Sequence, residues 1–250
     1  PIRHLALSIA LACVAGTGIA EEALAPPDIS LEDLLGTEVT SASRKAERLH
    51  EVAAAVFVIT RDDIERSGAT NLPEALRLAP GVNVASLANN RWAVSVRGFN
   101  DRFSNKLLVL MDGRSIYSPL FSGVVWEDQD TLLEDIDRIE VVRGPGAAMW
   151  GANAVNGVIN IITRRARDTE GDLLVAAAGS EERALLAFRH GGEAGNGHFR
   201  VWGKAFKRDQ SFTTDGHTGN DYWQAGRIGF RGDWHMGSDQ RLMLSGQMYS

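Results

Sequence analysis

The chain has 250 residues, 44% of them hydrophobic and 23% charged, a balance that fills one or two folded cores and excludes wholesale disorder. A formal net charge of −6 leaves no basic footprint for nucleic acid; the densest cations, Arg164, Arg165 and Arg167, are followed at once by Asp168, Glu170 and Asp172. Cys13 is the single cysteine, so disulfide scaffolds and Cys-ligated metals are excluded as well.

Taken in chain order, the first feature is the apolar run Leu5 to Val14, preceded by Arg3 and His4 and followed by Gly18-Ile19-Ala20. It is shorter than the roughly 18 residues a spanning helix needs, and the pattern predicts a signal peptide over 1–20 and export. The chain starts at Pro1 and stops at Ser250 in mid-pattern, which reads as a fragment. Residues 21–45 read as a flexible leader containing Pro26-Pro27. Within it Leu31 to Leu35 offers one amphipathic turn, closed by Gly36. The β-prone stretch from Thr37 to Ser43 is suited either to a plain linker or to adding a strand to a partner's sheet edge.

From Val52 the texture is that of a compact α+β unit. Val56 to Thr60 predicts a strand, Arg61 to Ser67 a short helix closed by Gly68, and Leu72 to Leu78 a second helix ended by Pro80-Gly81. Short strands are expected next at Val82–Val84, Ala93–Arg97, Leu107–Met111, Ile139–Val142 and Val158–Thr163. Helices this short and strands this mixed do not suit a doubly wound domain. The run Gly144-Pro145-Gly146-Ala147-Ala148-Met149 mimics a dinucleotide fingerprint, but its sixth position is Met, Pro145 has no N–H to offer a pyrophosphate, and Gly151 and Gly157 interrupt any helix beyond it. A tight turn at Gly144, Pro145 and Gly146 joining two strands accounts for the same residues.

Beyond Arg167 the pattern changes to turn-separated segments near Leu173–Ala178, Arg183–Arg189, Phe199–Lys207, Gln224–Asp233 and Arg241–Tyr249. In the third, Phe199, Val201, Gly203 and Ala205 share one face and Arg200, Trp202, Lys204 and Phe206 the other. Membrane-barrel hairpins and a soluble β-sandwich fit this alternation equally. No H-E-x-x-H, G-x-S-x-G, C-x-x-C or P-loop spelling occurs, so no catalytic residue, resident metal or cofactor is expected. Glu127-Asp128-Gln129-Asp130 has the oxygens for a cation but lacks the glycine of an EF-hand loop.

Six ordered motifs give the stretch from Thr37 to Thr163 a family likeness. They are Val58-Ile59-Thr60 with Asp63-Ile64 and Ser67-Gly68; Leu76 with Pro80-Gly81-Val82; Val96-Arg97-Gly98-Phe99; Leu110 with Asp112-Gly113-Arg114; Ile136 through Pro145; and Trp150-Gly151 with Asn156 through Ile161. This set resembles the plug domain of a TonB-dependent outer-membrane receptor, and the tail from Asp172 resembles the first strands of that family's barrel.

The resemblance implies an α+β plug, a small mixed sheet with short helices, over 46–166. Residues 167–250 would then be the first antiparallel strands of a transmembrane barrel of about 22 strands. It implies a partner, TonB with its inner-membrane energising complex, meeting a box at Glu38, Val39, Thr40, Ser41 and Ala42. It implies a scarce nutrient as ligand, a ferric siderophore or similar metal complex, and lipid contact through the full barrel. Arg97 and Arg143 match two family arginines that latch the plug to barrel glutamates. Ligand-facing loops are expected at Arg91 and Trp92, at Arg102 and Phe103, and at Tyr117 and Phe121. The competing expectation is a periplasmic signalling or binding module that uses the plug fold without transport.

Overall fold

A computed structural model describes residues 38–41, 47–48, 54–212, 215–237 and 240–250. The expected signal peptide, the leader to residue 37 and Ala42 of the expected box lie outside them.

Two short strands, β1 (Glu38–Val39) and β2 (Glu47–Arg48), pair antiparallel. Next, β3 (Val56–Thr60) runs into helix α1 (Arg61–Ser67), where the Thr60 and Asp63 side chains each cap the other's backbone N–H. Gly68 at φ 70° closes the helix in the left-handed conformation. Helix α2 (Leu72–Leu76) is capped by the Asn71 side chain and leads to the hairpin of β4 (Val82–Ala88) and β5 (Arg91–Val96). Both hairpin strands are longer than expected, because their ends are held by pairing rather than by β-branched side chains.

The remaining plug strands are β6 (Leu107–Met111), β7 (Arg114–Ser115), β8 (Ile136–Arg143) and β9 (Gly157–Thr163), with the one-turn helix α3 (Ala147–Trp150) between the last two. They form a five-stranded mixed sheet in the order β3-β8-β9-β6-β7, with β6 and β9 parallel. Alternation along β8 and β9 sends Ile139, Val141, Ile159 and Ile161 into the main core with Ile64, Leu72 and Leu76 from the helices. Val142 and Val158 point the other way, into a smaller cluster with Leu108, Leu110 and Ala154.

The second sheet is β10 (Gly171–Ala177), β11 (Glu182–Ala194), β12 (Gly197–Arg208), β13 (Trp223–Met236) and β14 (Gln240–Tyr249), antiparallel and in sequence order. Its polarity is inverted relative to a soluble sandwich. Leu174, Phe188, Gly203, Ile228 and Met248 are cross-strand partners in one row, and the four large side chains are 51–72% exposed. Gly203 fits the row because the Phe188 ring covers it; a Cβ there would lie 2.4 Å from Phe188 Cε1. On the opposite face Arg189, Arg200, Lys204, Arg208 and Arg227 are buried with Trp202 and Phe206. An apolar face turned outward and a charged face turned inward is the arrangement of a membrane-barrel wall, which decides between the two architectures the sequence left open.

Candidate functional site

The plug is seated on the inward face of the wall by buried ion pairs. Asp135, fully buried at the end of the turn Leu133–Asp135, bonds Arg189 Nη1 and faces Arg200 Nε at 3.4 Å. Asp130 takes Lys204 Nζ at 2.9 Å and lies 3.7 Å from Arg227 Nε. Arg227 also donates to the backbone carbonyls of Glu127 and Asp128. Within the acidic run at 127–130, the Asp130 carboxylate is thus taken by wall cations, while the Glu127 carboxylate pairs with Arg102 of the plug at 2.7 Å. Asp112 accepts from the Thr163 N–H and hydroxyl, both at 2.8 Å, and lies 3.4 Å from Arg231. Such pairs add little net stability over an apolar contact, but each strands a charge when one partner is lost, so they fix position.

Sequence reasoning missed Asp112, Asp130 and Asp135 as anchors. The signal was present on the wall side, in the spacing of Arg200, Lys204 and Arg208 along one face of β12. The plug partners are distant, however: Asp135 lies 54 residues from Arg189 and Asp130 lies 74 from Lys204, and no local pattern marks either.

Most of the expected TonB-contacting segment lies on the plug. Val39 is fully buried. The Thr40 and Ser41 N–H groups donate to Glu140 Oε2 at 2.9 and 2.8 Å, the Ser41 hydroxyl donates to the same oxygen, and Trp150 Nε1 donates to the Ser41 carbonyl at 2.7 Å. Glu140 sits in the middle of β8, fully buried, with Arg138 Nε 2.9 Å from its other oxygen.

Arg97 and Arg143 come to one end of the plug sheet. Arg97 has φ 58°, the first of three consecutive left-handed residues with Gly98 and Phe99. Its guanidinium lies beside Gly144, where a Cβ would meet Arg97 Nη1 at 3.7 Å. The stem of Arg143 lies beside Gly81, and its Nη1 donates to the Pro80 carbonyl at 3.3 Å. Neither arginine has a carboxylate partner among the described residues. Gly144 at φ 151° and Pro145 carry the chain off β8, and Gly146 opens α3 with its N–H bonded to the Ala154 carbonyl at 2.8 Å. An α3 of four residues gives no helix N-terminus of the kind that binds a pyrophosphate.

The expected ligand-facing residues divide. Phe103 and Phe121 stack at 5.1 Å between centroids, Arg102 lies over the Phe103 ring and pairs with Glu127 at 2.7 Å, Tyr117 is half-buried, and Arg91 and Phe121 are exposed. Trp92 corrects the expectation of a loop residue. It lies in β5 at 4% exposure, 5.9 Å from Trp223 and under the Arg208 guanidinium, because the turn before it is only Asn89-Asn90. That turn is tied to the β12–β13 connection by Asn89 N–H, which donates to Asp221 at 2.9 Å. Desolvation would raise the Asp221 carboxyl, but hydrogen bonds from Asn89 and Ser211 outweigh it and hold the group below its ordinary range.

Residues 48–158 match the family model described as TonB-dependent Receptor Plug Domain. The vitamin B12 transporter BtuB of Vibrio vulnificus (strain CMCP6) is 33% identical over 189 residues, which cover 74% of this chain and 30% of that protein. The chain therefore spans about a third of that relative's length. Among solved structures, the siderophore receptor PirA from Pseudomonas aeruginosa is 26% identical with a TM-score of 0.55 over 79% of this chain and 34% of that one. The FpvA receptor of P. aeruginosa shares the fold at a TM-score of 0.66 and 18% identity, over 85% of this chain and 27% of that one. With the mixed plug sheet seated on an inside-out β-wall, these matches give residues 48–158 as a TonB-dependent receptor plug domain and make the strands beyond it similar to the first barrel strands of TonB-dependent outer-membrane receptors.

Proposed function

We propose that the receptor takes up a scarce metal chelate, foremost a ferric siderophore, across the outer membrane, with the plug as the gate and TonB as the source of energy. The protein acts by binding and movement rather than by catalysis. Residues Glu38 to Ala42 form the strand that TonB engages, and Arg97 and Arg143 latch the plug to acidic residues of the barrel. The exposed Arg91 and Phe121 and the half-buried Arg102, Phe103 and Tyr117 contribute aromatic and cationic side chains to the ligand surface. The observation that carries this reading is the plug's seating by Asp112, Asp130 and Asp135 on wall cations, a polar interface that holds a gate without welding it in place.

A cobalamin is the second reading, favoured by the 33% identity to a vitamin B12 transporter. Both are tested by uptake in cells expressing the receptor, with labelled ferric siderophores of several chemical classes and labelled cyanocobalamin, in the presence and absence of TonB. TonB-dependent accumulation of one of them supports the proposal and names the cargo. Surface binding with no accumulation in either background would favour a signalling or binding module instead.

A further inference from the structure

We propose that Glu140 is the clamp that withholds residues 39–41 from any partner strand, so that its carboxylate sets how readily the segment is presented. The inference rests on the reading of Glu38 to Ala42 as the segment TonB engages. A partner that adds a strand needs free backbone N–H and C=O groups. Here the Thr40 N–H, the Ser41 N–H and the Ser41 carbonyl are already bonded, to Glu140 and to Trp150. Docking on the plug and pairing with a partner therefore exclude each other.

The carboxylate form matters. Three donors, Thr40 N–H, Ser41 N–H and the Ser41 hydroxyl, converge on Oε2, while Oε1 accepts from Arg138 Nε. Two anionic oxygens can serve four donors. A glutamine has one acceptor oxygen and would turn an NH2 toward either the segment or Arg138. When the segment leaves, Glu140 loses three donors and keeps Arg138 as its ionic partner, and Arg138 is shared with Asp137 at 2.6 Å. A buried charge left half-paired opposes release, so the clamp holds the segment until another interaction replaces it.

The test uses Val39→Cys, whose native side chain is fully buried, in the purified full receptor. The rate of maleimide labelling reports undocking without any need for TonB. Adding Glu140→Gln is expected to raise that rate tenfold or more, and Trp150→Phe, which keeps a ring but removes the donor to Ser41, about threefold. Should Glu140→Gln fail to fold, Trp150→Phe carries the test. An unchanged labelling rate in whichever of these folds overturns the clamp. Capture of the TonB periplasmic domain on the same variants separates the two claims. Equal labelling with normal capture defeats the clamp alone, whereas faster labelling with no capture in any variant defeats the TonB reading and leaves the clamp.

Discussion

Asp135 shows how much a single side chain decides in this interface. It has no exposed surface and faces two cations of the wall that are themselves buried. Asp135→Asn keeps the shape and strands Arg189 and Arg200, which is expected to cost about 3–5 kcal/mol, read as a lower denaturant midpoint for plug unfolding in the purified receptor. A change below about 1 kcal/mol would mean that the wall cations find other partners. Asp221 gives a pH-dependent counterpart. Its carboxyl is held below the ordinary value, so the tie to Asn89 is fully present above the unfolded pKa of about 3.9 and is lost as pH falls through the lower folded value. Protection of the Asn89 amide against hydrogen exchange, taken relative to its intrinsic rate at each pH, is predicted to hold at pH 5 and to fall only as pH drops below the ordinary carboxylate value; loss of protection already between pH 7 and 5 would assign the tie to another group. None of these roles could be read from sequence, since an aspartate in a loop looks solvated until the strand that covers it is known.

At the scale of elements, the plug strands were legible because β-branched runs such as Val158 to Ile162 sit between glycine and proline punctuation. The turn at Gly144 to Gly146 was legible for the same reason. Trp92 was not, because a two-residue hairpin turn leaves no local mark that the residue after it is already in a strand and packed on Trp223. Glu140 was hidden differently. Within Ile-Glu-Val-Val it reads as the polar face of an ordinary strand, and its partners Thr40 and Ser41 lie a hundred residues earlier. Close approach of β8 and β9 makes a further demand at Gly157. A Cβ there would sit 2.6 Å from the Val142 carbonyl oxygen and 3.2 Å from Val96 Cγ1. Gly157→Ala is expected to destabilise the plug by about 1–3 kcal/mol, seen as faster proteolysis of the plug in the purified receptor. Unchanged proteolysis would show that the two strands can separate locally at no cost.

For the molecule as a whole, the separation of an outward apolar row from an inward charged one is what makes the second sheet a membrane wall. Alternation in β12 was visible in the sequence, but which face pointed inward was not, because periodicity records two faces without naming the solvent of either. Ile228→Arg on the outward face is predicted to weaken membrane folding by about 2–4 kcal/mol if it lies near the bilayer midplane, measured as the folded fraction of the full receptor in lipid vesicles; no loss would argue that this face meets protein or water. The proposed coupling of this receptor to an energised partner runs through the plug-docked segment near Val39. The most direct measurement is ligand accumulation by cells carrying Val39→Pro, which removes a backbone donor and disfavours strand pairing, compared with the unaltered receptor with and without TonB. Surface binding of the ligand is expected to persist while accumulation is lost to the same extent in the variant and in cells without TonB. Accumulation that continues undiminished in Val39→Pro or without TonB would contradict that coupling.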